Sequence, residues 1–181
     1  MSDKPGFQIF RLADAPLLQD TDVQPVSTEF TPEEVERWGR KMEAGYSLGQ
    51  EARVVLRTPT LSILHIWNKP GYPTPLHSHD ADCLYFLVGG SVRVGTEDLL
   101  PGDSFFIPAE MPYTYKVGPE GAEVLEIRQA GNWDLKLLAK NPAYFDKAVQ
   151  AITANVEGWR TAKRPSRKND GGTHPLPERS A

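Results

Sequence analysis

Two histidines, His77 and His79, stand two residues apart, and Cys83 follows four residues after the second. In a β-strand, residues i and i+2 point to the same side, so both imidazoles face one space. Such a pair is typical of a metal chelate, and it predicts one divalent transition metal: iron, zinc, copper, manganese or nickel. The alternative is a pair that faces solvent or lines an apolar pocket.

Cys83 is the leading candidate for a third ligand, at or within contact distance of the metal. A thiolate there would bind zinc, copper or iron well. The alternative is a small buried core residue, which free cysteine often is.

Two phenols, Tyr113 and Tyr115, alternate in the run "YTY" and so share a strand face. A phenol can ligate a metal, transfer a proton or hydrogen-bond a substrate oxygen. The pattern therefore predicts Tyr113 and Tyr115 as catalytic residues, with two aromatic rings that only fill the interior as the alternative.

Other side chains are predicted to line the same pocket. They are His65, Trp67, Tyr85, Phe105, Glu126 and Arg128. His65 supplies a third imidazole only if the strand face that it shares with Trp67 points inward. Arg128 can fix a substrate carboxylate, or it can pair with Glu126 in an exposed ion pair. Such a pocket suits a small, partly apolar molecule that carries an oxygen.

The residue pattern of positions 51–129 predicts the strands that must position these side chains. Short β-branched and aromatic runs alternate there with Gly, Pro, Asp and Asn, which is typical of an antiparallel sandwich or barrel. The fold class is therefore an all-β core with helical segments on both sides.

The flanking segments carry helix signals. In residues 1–50, the run Thr31-Pro32-Glu33-Glu34 has the spacing of a capping box and predicts a helix over about 32–43. Its apolar stripe is Val35, Trp38 and Met42, and we assign Trp38 to packing. Residues 130–160 are predicted as a second helical segment, in which the helix begins at Asn141. Residues 161–181, with His174, are rich in Pro, Gly and basic side chains and are expected to be a disordered tail.

The histidine spacing resembles the first motif of the cupin superfamily. Five residues separate Gly71 from His77, Gly90 closes the motif, and Cys83 stands where cupins have Glu. In the second motif, Gly102 and Pro108 match, and Tyr113 stands where cupins have His. The resemblance implies a small cupin with a double-stranded β-helix over 51–129. Cupins usually hold a divalent metal with two His, one Glu and a third His, so the departures put the last two ligands in doubt.

The resemblance also implies function. A dioxygenase-type enzyme is the first expectation and a lyase or isomerase the second. A non-catalytic cupin that binds or senses a small ligand is the alternative.

Length and composition bound these expectations. The chain has 181 residues, a net charge of −4 and one cysteine. The acidic body argues against a nucleic-acid partner, and the sequence has no apolar run long enough for a membrane span. A cytoplasmic location is the default for a chain with this cysteine content. The apolar stripes of the terminal segments must be covered, which predicts a homodimer.

Overall fold

The computed structural model describes residues 6–167 and consists of eight strands and two α-helices with short 3-10 turns. The strands are β1 Gln50–Thr58, β2 Leu61–Asn68, β3 His77–Ser78, β4 Cys83–Val94, β5 Glu97–Leu99, β6 Ser104–Ile107, β7 Lys116–Arg128 and β8 Lys136–Leu137. The helices are α1 Pro32–Glu43 and α2 Pro142–Thr161.

All pairings between the strands of residues 6–167 are antiparallel, as the sequence predicted. The main sheet has the order β1-β2-β7-β4-β5, with β6 also paired to β4, and β3 pairs with β8. An isolated bridge between His77 and Tyr113 joins β3 to the segment before β7. The fold is the all-β core with flanking helices that the punctuation of the sequence indicated.

The alternation of β4 defines the two faces of the main sheet. Cys83, Tyr85 and Leu87 are buried, whereas Leu84 and Phe86 between them are partly exposed. Because strand residues alternate between faces, the first set points to an inner face and the second to an outer face.

Helix α1 begins as its capping box predicted. Thr31 accepts a hydrogen bond from the backbone of Glu34, whose side chain accepts one from the backbone of Thr31. The packed face differs from the predicted stripe, because Val35 and Met42 are exposed while Glu34 and Lys41 are buried. Lys41 reaches a set of aromatic rings between α1 and α2, and this contact determines which face packs.

Helix α2 is capped by Asn141, whose side chain accepts from the backbone of Ala143. Its Phe145 and Ile152 are fully buried. The rings of Phe145 and Trp38 meet edge-to-face with centroids 5.3 Å apart, so α1 and α2 pack against each other.

The segment after α2 is docked on the outer face, although the sequence indicated disorder from residue 161. Arg164 lies 2.6 Å from a Glu51 carboxylate oxygen, and the backbone N–H of Ser166 donates to Glu123 at 2.8 Å. A Cβ at Gly89 would lie 2.7 Å from the Ser166 nitrogen, so this approach requires glycine. The remainder of the predicted tail, with His174, lies outside the described residues.

Within residues 6–167, no helix has the length and apolar character needed to cross a membrane.

Candidate active site

A cavity of about 290 Å³ lies between the inner face of the sheet, α1 and the segments that follow β2 and β7. We call it the inner chamber. Its polar lining includes His77, His79, Tyr115 and Glu126. Its other walls are mostly apolar and include Trp38, Met42, Tyr46, Ile66, Leu135 and Leu137. The volume and lining are typical of a site for a small, partly apolar molecule.

The two predicted histidines are neighbours in this polar lining. The ring centroids of His77 and His79 are 5.1 Å apart. The Nδ1 of His77 is 2.9 Å from the carbonyl oxygen of Pro75, and the Nδ1 of His79 is 2.6 Å from that of Asp134. A carbonyl can only accept, so both Nδ1 atoms carry the hydrogen. In the neutral ring, Nε2 then has a free lone pair.

A reciprocal clasp fixes the carbonyl that orients His79. The backbone N–H of Asp80 donates to the Asp134 carboxylate at 2.9 Å, and that of Asp134 donates to the Asp80 carboxylate at 2.8 Å. Asp80 and Asp134 therefore tie the loop after His79 to the loop after β7, and this holds the imidazole in one tautomer.

Both imidazoles are neutral at neutral pH. Burial lowers the pKa of His79 to about 4, and the nearby Arg128 guanidinium acts in the same direction. Burial also lowers the pKa of His77. Each ring can accordingly accept a proton or bind a metal through Nε2.

Tyr115 is the predicted phenol that lines the inner chamber. Its oxygen accepts a hydrogen bond of 2.9 Å from the amide of Asn68, whose own oxygen accepts one of 2.8 Å from Gln50. Because Asn68 is a donor in this contact, the Tyr115 O–H remains free to donate to a ligand. Burial raises the pKa of Tyr115, so the phenol keeps its proton.

Tyr113 lies behind His77, and its ring centroid is 4.2 Å from that of His77. Its hydroxyl is hydrogen-bonded to that of Tyr85. The fully buried Arg128 donates to Tyr85 at 3.3 Å and to Glu126 at 2.5 Å. The Glu126–Arg128 pair is thus buried, and the exposed ion pair that we weighed for it is wrong.

Cys83 lies in the buried core at the start of β4. Its side chain is 1% exposed, and burial raises the pKa of the thiol to about 12, so it is a neutral thiol. No three His, Cys, Asp or Glu side chains within residues 6–167 are placed to hold one metal ion. The residues present therefore do not fit the predicted three-ligand site, although the two imidazoles fit as a pair.

His65 and Trp67 lie on the outer face, away from the inner chamber. In the ladder, Ile66 of the inner face pairs with Val124, and His65 pairs with Leu125. The His65 Nε2 is 3.2 Å from a Glu123 carboxylate oxygen. The remaining predicted pocket residue, Phe105, stacks on Tyr85 with centroids 4.5 Å apart and fills the interior.

Several residues that sequence reasoning missed come from the segments that flank the main sheet. Trp38 lines the inner chamber with Met42 and Tyr46, and Leu135 and Leu137 close the opposite side. The apolar residues of the flanking segments indicated that these segments pack on something. A strand motif does not indicate which segment covers the inner chamber.

Comparisons with known proteins give a likeness in fold alone. No family model and no curated protein match the sequence. The solved structure of the polyketide cyclase RemF from Streptomyces resistomycificus has a TM-score of 0.53 at 14% identity, over 81% of this chain and 99% of that one. KdgF from a Halomonas species has a TM-score of 0.47 at 17% identity, over 68% and 94%. An RmlC-like cupin from Shewanella frigidimarina has 0.40 at 24% identity, over 44% and 75%.

Proposed function

We propose that this chain, which has the double-stranded β-helix fold of the cupin superfamily, is an enzyme that moves protons on a small organic molecule. The reaction class is that of a lyase or isomerase. One observation carries the proposal. The unprotonated Nε2 atoms of His77 and His79 and the free O–H of Tyr115 all belong to side chains that line one chamber.

The roles follow from this arrangement. Tyr115 donates a hydrogen bond to a substrate oxygen while an imidazole Nε2 takes a proton from a neighbouring carbon. The C–H electron pair moves into the substrate, and the negative charge gathers on the oxygen that Tyr115 holds. An isomerase returns the proton to another atom, and a lyase expels a leaving group.

The surroundings support an oxygen-bearing, partly apolar substrate. The apolar walls hold its body, and the polar side chains of the lining hold its oxygen. The likeness in fold to RemF, a polyketide cyclase, agrees with an enzyme and carries no information about the substrate.

A metal-dependent enzyme is the second candidate, and one observation favours it. Histidines that bind metals usually donate the other ring nitrogen to a carbonyl or carboxylate, as His77 and His79 do here. These two residues would hold the ion, whose other ligands would be water or substrate oxygens. When bound, the ion would polarise a substrate oxygen. The dioxygenase-type chemistry expected from the sequence belongs to this candidate.

The experiment is deuterium incorporation. A panel of aryl ketones and keto acids is incubated with the protein in D₂O, and exchange at carbon is followed by NMR. His79→Gln and Tyr115→Phe should each slow the exchange about a hundredfold, which is in the range of one positioned acid or base.

His65→Gln is the matched control, because His65 lies on the outer face and should not affect exchange. Exchange that survives in Tyr115→Phe contradicts the role of the phenol. Binding of panel compounds without any exchange contradicts the enzyme and favours the ligand-binding module.

A further inference from the structure

One charged group beside the inner chamber has no ionic partner. Lys41 of α1 is fully buried behind two chamber-lining rings, Trp38 and Tyr46. Its Nζ lies 3.6 Å from the ring centroid of Tyr46 and 4.4 Å from that of Trp38. The ammonium therefore contacts two rings that line the chamber.

The contacts of Lys41 are aromatic rather than ionic. Its Nζ donates to the Tyr144 hydroxyl at 2.7 Å, and Tyr144 in turn donates to the Pro73 carbonyl at 3.3 Å. No carboxylate of residues 6–167 lies within 4 Å of Nζ. Cation–π contacts with Trp38, Tyr46 and Tyr144 stabilise the ammonium. Burial nevertheless lowers the pKa of Lys41 to about 7.

The other charges at the chamber are balanced. The carboxylate of Glu126 is paired with Arg128, and His77 and His79 are neutral. Burial raises the pKa of the nearby phenols, so they are uncharged; they are Tyr46, Tyr72, Tyr115 and Tyr144. Protonated Lys41 is therefore the one unbalanced charge among the described groups around the chamber.

We propose that the inner chamber binds an organic anion, a carboxylate with an apolar body, whose charge is balanced by Lys41 across the rings of Trp38 and Tyr46. An unpaired buried charge is costly, and an anion in the chamber removes that cost. By linkage, the anion then increases the proton affinity of Lys41, so it binds together with a proton. An organic anion of this kind would be the substrate class of the proposed function, and the proposal rests on that function for the choice of the inner chamber as the binding site.

The test uses two probes of nearly the same shape, 1-naphthoate and the neutral 1-naphthamide, titrated calorimetrically into the full chain. Naphthoate should bind about tenfold more tightly at pH 6 than at pH 9, because Lys41 is charged only at the lower pH. Naphthamide should bind equally at both. At pH 7, titrations in two buffers of different ionisation enthalpy should report uptake of about half a proton with naphthoate.

Lys41→Met keeps the length and the packing of the side chain but removes its charge. It should abolish the pH dependence for naphthoate and leave naphthamide binding unchanged, which also shows that the chamber is intact. Lys140→Met is the control, because Lys140 is an exposed lysine that pairs with Glu34 of α1. It should behave as wild type.

Three results overturn the inference. The first is wild-type naphthoate binding that does not change between pH 6 and pH 9, and the second is binding of neither probe. The third is a pH preference that survives in Lys41→Met, which assigns the proton to His77 or His79, the other titratable groups at the chamber. Naphthoate binding through Lys41 without any deuterium exchange in the panel leaves this inference standing and overturns the proposed function.

Discussion

His79 lies at the centre of the site because three separate features act on one ring. The Asp134 carbonyl fixes the tautomer of the imidazole, and burial keeps the ring neutral. The ring also lines the inner chamber. A protonated imidazole could neither accept a proton nor bind a metal, so the chemistry depends on this neutrality.

The neutrality of His79 makes stability depend on pH. Its pKa is about 4 in the folded protein and 6.5 in the unfolded chain, so the unfolded chain binds more protons between these values. The free energy of unfolding should fall as the pH is lowered from 6.5 to 4, by up to about 3 kcal/mol from this residue. Urea unfolding of wild type and His79→Gln isolates the contribution. Equal pH slopes in the two proteins would contradict it.

Cys83 should be chemically inert. A buried thiol with a pKa of about 12 presents almost no thiolate, and the thiolate is the reactive form. A disulfide reagent such as DTNB should label the native protein at pH 8 at least about a hundredfold more slowly than the denatured protein. Rapid labelling of native protein would show an accessible or activated sulfur and would return Cys83 to the ligand set.

Helix α1 connects the flanking segments to the site, since Trp38 and Met42 line the chamber and Lys41 lies behind it. Burial lowers the pKa of Lys41 to about 7, so the unfolded chain binds more protons from pH 7 to about 10. The free energy of unfolding should rise over that range in wild type. Lys41→Met should show a smaller rise, measured by urea unfolding. A rise of the same size in the free energy of unfolding of both proteins would contradict this prediction.

At the scale of the elements, the sequence predicted well which type of element forms and where α1 begins. It predicted less well which face of an element is buried. The capping box of Thr31 marks the start of α1 through local geometry, which needs no knowledge of the fold. The predicted stripe of Val35, Trp38 and Met42 did not include Lys41, which is buried. The burial of Lys41 depends on aromatic rings from α2 and the turn after α1, and no local pattern contains that information.

The same limit applies to the site. Alternation shows that His65 and Trp67 share a face, but the register between β2 and β7 determines that this face points outward. The pair His77 and His79 was found because its spacing alone brings the rings together. The face shared by Glu126 and Arg128 was found in the same way, whereas their burial follows from the strands on both sides of β7.

The whole molecule has an apolar outer face on β4 and β6. Leu84 and Phe86 are each 38% exposed and Phe106 is 56% exposed, and Leu84 and Phe106 pair directly across the two strands. A second copy of the chain brings an identical face, so we propose this surface as the place where the homodimer expected from the sequence would form.

Phe106→Glu places a charge in the middle of that face and should convert the dimer into a monomer, because a buried unpaired carboxylate is costly. Light scattering at micromolar concentration gives the mass of each protein. Lys116→Glu, on an exposed position at the start of β7, is the control and should stay dimeric. A monomeric wild type would refute the homodimer.

The central claim is that the side chains of the inner chamber move a proton without help from a metal. The most direct measurement follows deuterium exchange by wild-type protein that has been freed of metals with a chelator, on the compounds of the panel that exchange. We predict that the rate is unchanged by the chelator and is lost in Tyr115→Phe. Exchange that stops on chelation and returns with one added divalent metal would contradict the claim and establish His77 and His79 as metal ligands.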